Sequence, residues 1–363
     1  MKKNSLRNED GLEVNEMNHF ISTEKIQKNN KFRVISLFSG CGGMDLGFEG
    51  DFQIFGKNYE RNPFEIVFSN DIVEKATKTY NYNFKHHSIC ADIKNIDLNN
   101  LPEAEIVIGG FPCQDFSLAG KRKGLSTERG QLYLEMKKVV EHVNPLAFVA
   151  ENVDGIRKNK NGESKSALDV IIDDFRSLNY DVMYLPLNAA NYGVPQNRVR
   201  IIIIGIRKDL MKKIKYPLMT HGDNSINEIL TAKFAIDDLW NQHNNPLFYN
   251  HSIKDYSKAK FYFGKKMQGN NRIKDNKPAP TIRSEHHGNI EGHYRVLNED
   301  ISIDDVSNWR RLSVRECARL QTFPDSFIFP VNSSDAYKQI GNAVPPILAW
   351  HIARALYMSL TSK

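Results

Sequence analysis

Four side chains in this sequence are of the types needed for covalent catalysis: Cys113, Glu151, Arg198 and Arg200. Cys113 follows Gly110-Phe111-Pro112, and the apolar run before it, Glu105–Gly109, reads as a short buried strand. Pro112 fixes its own φ and holds Phe111 extended, so the thiol is presented on stiff backbone. A cysteine held this way is either a nucleophile or a buried structural thiol, and partners elsewhere in the chain must decide. Glu151 stands past the end of another predicted strand, Leu146–Val149. Arg198 and Arg200 alternate at the start of a third, Val199–Ile206, so both guanidinium groups are expected on one face. One reaction uses such a set. Addition of a thiolate to C6 of a pyrimidine makes C5 nucleophilic, provided N3 is protonated or hydrogen-bonded. Glu151 would share that proton, since burial raises a carboxyl pKa, and would accept from an exocyclic amino group, selecting cytosine. Arg200 would hold the O2 side and favour the thiolate.

The elements that must position these groups alternate regularly. Phe32–Phe38 reads as a strand running into the glycine turn Ser39–Gly43 and a helix, Met44–Phe48. Glycines there let a ligand approach backbone whose N–H groups are free. The dinucleotide pattern GxGxxG is not met, because Asp45 stands where its third glycine would be. Predicted strands Glu65–Ser69 and Ser88–Ala91 lead to Asp71 and Asp92, each either a cap or a ligand group. Helices are expected over Ile72–Tyr82, Gln131–His142 and Lys165–Leu178, and strands over Val182–Leu187 and Val199–Ile206. That order is an α/β doubly wound sheet with a hairpin edge. Ser313–Gln321 reads as a helix opened by a capping box with Glu316, and Ile347–Leu360 as a C-terminal helix.

Composition excludes several classes. No apolar run in the 363 residues approaches membrane-spanning length. The four cysteines, Cys41, Cys90, Cys113 and Cys317, are scattered, so neither a disulfide framework nor a zinc site is indicated. His286, His287 and His293 match no common metal spacing. Met1–Lys31 is polar, lacks a signal-peptide core, and is expected to be a largely disordered leader with a short helix near Glu13–Phe20. Net charge is +6, and Lys254–Arg283 holds nine Lys/Arg against two acids, with aromatic residues interleaved. Such a stripe suits a polyanion or is a solvated face.

The chain resembles the cytosine-5 DNA methyltransferases of bacterial restriction-modification systems. The resemblance covers most of Phe32–Leu356 and rests on FSGCGG, the acids Asp71 and Asp92, GGFPCQDFS, ENVDGI, QNRVRIIIIG, RRLSVRECARLQTFPDSF and IGNAVPP, in that order. It implies a class I S-adenosylmethionine-dependent methyltransferase, a Rossmann-like doubly wound sheet with a smaller target-recognition domain. The implied catalytic residues are Cys113, Glu151, Arg198 and Arg200. S-adenosyl-L-methionine is then expected against Phe38, Ser39, Gly40, Gly42, Gly43, Asp71, Ile72, Asp92, Ile93, Pro112, Leu132, Asn342, Ala343 and Val344. In that family Phe38 packs on the adenine, Asp71 binds the ribose hydroxyls and Asp92 the adenine amino group. Ile72 stands where relatives often carry an aromatic residue.

The resemblance also implies a double-stranded DNA substrate and extrusion of the target cytosine from the duplex. The loop Gln114–Gly130 would close over that base, with Gln114, Ser117, Lys121, Arg122, Lys123, Arg129, Thr281 and Arg283 touching DNA. The expected division is a leader, 1–31, a catalytic and cofactor-binding domain, 32–207, a target-recognition domain, 208–334, and a C-terminal return, 335–363. A monomer in the bacterial cytoplasm, without membrane association or metal, would protect host DNA from a separately acting restriction endonuclease. Two alternatives are weaker. Transfer-RNA methylating relatives carry a Cys-Phe-Thr signature in the recognition region, and Lys208–Trp309 contains no cysteine. A binding protein without turnover would not need Cys113, Glu151 and Arg200 together.

Overall fold

Alternation along the strands gives the main sheet two apolar faces. On Val199–Arg207, Ile202, Ile204 and Ile206 enter one core while Ile201 and Ile203 enter another. The computed structural model describes residues 20–23, 31–112, 132–158, 165–223, 225, 227–252, 270–284, 292–295 and 310–362. Its strands are β1 (Phe20–Ile21), β2 (Phe32–Leu37), β3 (Phe52–Ile54), β4 (Lys57–Tyr59), β5 (Phe64–Asp71), β6 (Ser88–Cys90) and β7 (Ile106–Gly109). These are followed by β8 (Ala147–Val153), β9 (Tyr180–Asn188), β10 (Val199–Arg207), β11 (Tyr216–Pro217), β12 (Asn270–Arg272), β13 (Gly292–Arg295) and β14 (Arg310–Arg311). The helices are α1 (Gly43–Glu49), α2 (Glu74–Asn83), α3 (Leu132–Val143), α4 (Ala167–Arg176), α5 (Ala232–Ile236), α6 (Val314–Leu320), α7 (Ser333–Asn342) and α8 (Pro346–Thr361).

Seven strands pair in the order β6-β5-β2-β7-β8-β10-β9. β10 is antiparallel to both neighbours, while the other pairings are parallel. The chain winds out from β2 to β6, then crosses back to β7. The crevice outside the carboxyl ends of β2 and β7 is therefore the topological switch point, where open α/β sheets bind ligands. One face packs on Phe48 of α1 and Ile347, Leu348 and Ile352 of α8. The other packs on Met136 and Val140 of α3 and Leu168, Ile171 and Phe175 of α4.

A third core joins α5, α6 and α7 with Ile273, Ala279, Ile282, Phe323, Phe327 and Phe329. The capping box expected at α6 is present: Glu316 N donates to Ser313 Oγ at 3.1 Å and Ser313 N donates to Glu316 Oε2 at 2.7 Å. Arg315 is fully buried, and its donors meet the carbonyls of Tyr249, Pro324 and Phe327. Helix α7, which the sequence did not announce, belongs to this core, and the expected boundary at 334/335 falls inside it.

Two expectations are corrected. The leader is not disordered throughout: Phe20–Ile21 pairs in parallel with Tyr216–Pro217, and Thr23 is buried with its hydroxyl 2.6 Å from His351 Nδ1. The pairing places two apolar residues, Phe20 packed on the core among them, at the end of a polar stretch. The strand expected to stop at Val149 continues as β8 to Val153, so Glu151 and Asn152 are in register inside the sheet. No helix among the described residues is long and apolar enough to cross a membrane.

Candidate active site

At the switch point lies a cavity of about 1270 Å³. Its wall includes Phe38, Ser39, Gly40, Gly43, Asp71, Ile72, Asp92, Ile93, Pro112, Leu132 and Asn342–Val344, and also Glu151, Arg200, Thr281 and Arg283. Thus most residues expected at cofactor and base share one space. Phe38 leaves β2 with φ 54°, a left-handed conformation unusual outside glycine, as the chain turns into the loop at the cavity wall. Gly43 faces the loop before α8, where a Cβ would stand 2.5 Å from the Val344 carbonyl oxygen.

Gly42 is a correction. It has φ 89°, and a Cβ there would meet the Phe84 ring at 2.4 Å, so it shapes the turn without lining the cavity. Asp71 and Asp92 bond backbone amides as well as lining the cavity, Asp92 as the cap of a short helical turn. Gly40 N and Val73 N donate to the two oxygens of Asp71, each at 2.8 Å, and Lys94 N donates to Asp92 Oδ1 at 3.0 Å. Burial pushes the Asp71 carboxyl above its usual value, with the Val73 and Gly40 amides opposing. A carboxylate oxygen has two lone pairs, so each acid keeps capacity for a ligand hydroxyl or amino group. Glycine backbone, apolar wall and two acids in one cavity fit S-adenosylmethionine.

Glu151 and Arg200 form the centre of charge. β8 and β10 pair Ile202 with Glu151 and Arg200 with Val153, which puts Arg200 diagonally across from Glu151 on the same sheet face. Arg200 Nε lies 2.8 Å from Glu151 Oε1, with side-chain exposures of only 12% and 10%. Burial raises the Glu151 pKa, and the charges of Arg200 and Arg198 only partly offset it. The backbone leading to Cys113 passes close by: a Cβ on Gly110 would lie 3.3 Å from Glu151 Oε2, and Asn152 Nδ2 donates to the Phe111 carbonyl at 3.2 Å. Cys113, Gln114, Ser117, Lys121, Arg122, Lys123 and Arg129 lie outside the described residues, as does most of the basic stripe after Lys254.

Arg198 departs from the expectation of a second arginine at the reacting base. It is fully buried, does not line the cavity, and spends its donors on the carbonyls of Ile282, Gly341 and Ala343. The physical reason lies in its partners: Arg198 precedes β10, and the carbonyls of Ile282, Gly341 and Ala343, behind the cavity wall, take its two terminal nitrogens. Sequence reasoning also missed Asp45, which lines the cavity and accepts from Ser36 Oγ at 2.7 Å and Tyr80 OH at 2.6 Å. Burial pushes it up to about 7. Its only signal was an acid where a dinucleotide fold has glycine. Asn152 and Gln196 could have been found as the unassigned polar members of ENVDGI and QNRVR.

The fold and cavity define an α/β enzyme that joins a nucleotide-like cofactor to a buried carboxyl–guanidinium pair. The chain belongs to the C-5 cytosine-specific DNA methylase family, whose model matches residues 32–358. Type II methyltransferase M.BsuRI of Bacillus subtilis is 34% identical over 382 residues, covering 96% of this chain and 83% of that protein. Type II methyltransferase M.FnuDI of Fusobacterium nucleatum is 34% identical over 361 residues, covering 91% and 96%. Among solved structures, the S. pombe Dnmt2 methyltransferase aligns with TM-score 0.59 and 20% identity, covering 90% of this chain and 99% of that one. The Entamoeba histolytica methyltransferase EhMeth aligns with TM-score 0.61 and 16% identity, covering 92% and 98%. The activity is therefore DNA cytosine-5 methylation, with S-adenosylmethionine as methyl donor.

Proposed function

We propose that this enzyme methylates a cytosine extruded from double-stranded DNA, through a covalent bond between Cys113 and C6, and so protects host DNA from a separate restriction endonuclease. The observation that carries this reading is the buried Glu151–Arg200 pair, facing the same cavity as the glycine turn and as Pro112, the residue before Cys113. A thiolate at Cys113 adds to C6. Glu151, raised in pKa by burial, shares a proton with N3 and accepts from the exocyclic amino group. Arg200 holds the O2 side, where negative charge develops. Phe38, Asp71, Asp92 and Asn342–Val344 would hold S-adenosylmethionine, whose sulfonium would supply the methyl group to C5 and depart as the thioether S-adenosylhomocysteine. Loss of the C5 proton to a base then restores the double bond as the C6–S bond breaks and Cys113 leaves as thiolate.

Extrusion is required because C6 is out of reach within the stack; it costs about a few kcal/mol, offset by contacts to the base and the gap. Thr281 and Arg283 stand at the cavity wall and are assigned to the DNA side, within a recognition region spanning 208–334. The phosphate contacts are assigned to Lys121, Arg122, Lys123 and Arg129, with Gln114 and Ser117 nearer the base. The enzyme acts as a monomer in the bacterial cytoplasm. Cys113→Ser should abolish methyl transfer while leaving binding of S-adenosylhomocysteine and DNA largely intact. A duplex with 5-fluorocytosine at the target should give a complex stable to denaturing gel electrophoresis, since fluorine cannot leave as a proton. A fully active Cys113→Ser enzyme would overturn the covalent mechanism. Bisulfite sequencing of DNA from expressing cells supplies the target sequence.

A further inference from the structure

We infer that Arg198 is a positioning residue that fastens the cofactor-side loop Gly341–Val344 to the DNA-side segment Thr281–Arg283, so that each ligand strengthens binding of the other. The inference rests on the assignment of these two segments made above. Arg198 Nη1 donates to Ile282 O at 2.8 Å, and Nη2 donates to Gly341 O at 2.8 Å and Ala343 O at 2.9 Å. One planar group thus holds carbonyls from two stretches about sixty residues apart in sequence, in a place where it has no exposure to solvent. A buried guanidinium is costly unless its donors are used; Nε has no hydrogen-bond partner, so the two terminal nitrogens carry the compensation, and they do so only with both segments in place.

Two glutamines close the circuit. Ile282 N donates to Gln196 Oε1 at 2.9 Å, Gln196 Nε2 to Gln321 Oε1 at 2.6 Å, and Gln321 Nε2 to Ala343 O at 2.5 Å. Ile282 is therefore held at both its N–H and its carbonyl, with its side chain fully buried, while Thr281 and Arg283 on either side reach the cavity. The two segments also touch directly: a Cβ on Gly341 would meet the Arg283 carbonyl carbon at 2.2 Å. A ligand that orders one segment has then already met part of the ordering cost of the other, and linkage requires the effect to be reciprocal.

The test measures binding rather than turnover, with S-adenosylhomocysteine and a duplex carrying the target sequence as probes. In the unaltered enzyme, saturating S-adenosylhomocysteine should tighten the duplex by about fivefold or more, and the duplex should tighten S-adenosylhomocysteine by the same factor. Arg198→Lys keeps the charge but cannot span three carbonyls in one plane. It should weaken each probe and bring the coupling factor close to one, raising both KM values far more than it lowers kcat. Should Arg198→Lys not fold, Gln196→Met, which removes the bonds to Ile282 N, Gln321 Oε1 and Leu320 O but leaves the Arg198 clasp in place, should reduce the factor in part. Full coupling in the folded variant, or none in the unaltered enzyme, overturns the inference. An unaltered enzyme that methylates C5 yet shows no coupling defeats this inference alone. One that binds neither probe defeats the assignment beneath it.

Discussion

Two arginine–glutamate pairs sit at opposite ends of the same sheet, and they behave differently. At the amino end Arg33 Nη2 lies 2.8 Å from Glu105 Oε1, with side-chain exposures of 44% and 28%. At the carboxyl end Arg200 Nε lies the same 2.8 Å from Glu151 Oε1, with exposures of 12% and 10%. Burial is the largest single influence on the Glu105 carboxyl and raises it, but the bonds and charge of Arg33 together outweigh it and the net shift is downward. For Glu151 burial wins and the shift is upward. Contact distance does not distinguish a surface pair from a reactive one. Loss of water does, because only a desolvated carboxyl can hold or share a proton near neutral pH while its cation stays in place.

The sharpest way to break this contrast is Glu151→Gln, which keeps shape and removes the acid. Turnover measured by labelled methyl incorporation should fall about 10²–10⁴-fold; a loss below tenfold would deny the carboxyl its role. Arg200→Ala should cost about 10²–10³ in kcat/KM, the scale of losing one donor to developing charge. It should also shift the basic limb of the pH profile upward, because loss of the cation leaves burial opposed only by Arg198 and raises the Glu151 pKa further. A limb that moves down, or does not move, contradicts the contrast.

Burial with no carboxylate partner sharpens it from another side. His351, bonded to Thr23, is pushed down to about 3 by burial first, then by nearby cations. The unfolded chain binds a proton near pH 6.5 and the native chain does not, so stability should fall as pH drops from about 6.5 toward 3. The slope for one such group is about 1.4 kcal/mol per pH unit. Asp45 has the opposite sign: held protonated up to about 7, it lowers stability as pH rises from about 4 to 7. Urea unfolding across pH should show the acid-side slope flatten in His351→Gln. The smallest effect belongs to Glu105→Gln, which should leave turnover unchanged and barely move the thermal midpoint.

Much of this was legible because local rules and global fold agree. The glycine turn, the acids after β5 and β6, the capping box at α6 and the antiparallel edge all follow from short-range chemistry. The misreadings share one cause, which is that they depend on partners distant in sequence. Arg198 looked like a twin of Arg200 by alternation, but the carbonyls that claim it come from Ile282, Gly341 and Ala343. Gly42 looked like a ligand glycine, but the Phe84 ring explains it. β8 runs past Val149 because β10 pairs with Ala150 through Val153, which no property of the ENV segment announces. Thr23 is ordered by α8, more than three hundred residues away.

Since β10 runs against its neighbours, its first residues arrive where theirs finish. Arg200 reaches the catalytic cavity through a hydrogen-bonded ladder and not through a loop, so its aim is a matter of phase. Deleting Ile201, with Ile202, Ile204 and Ile206 kept in their places, would rotate the arginine onto the opposite side of the sheet and offer a neighbouring side chain to Glu151 in its stead. Charge placement here is thus digital: it fails at the first miscount within the strand.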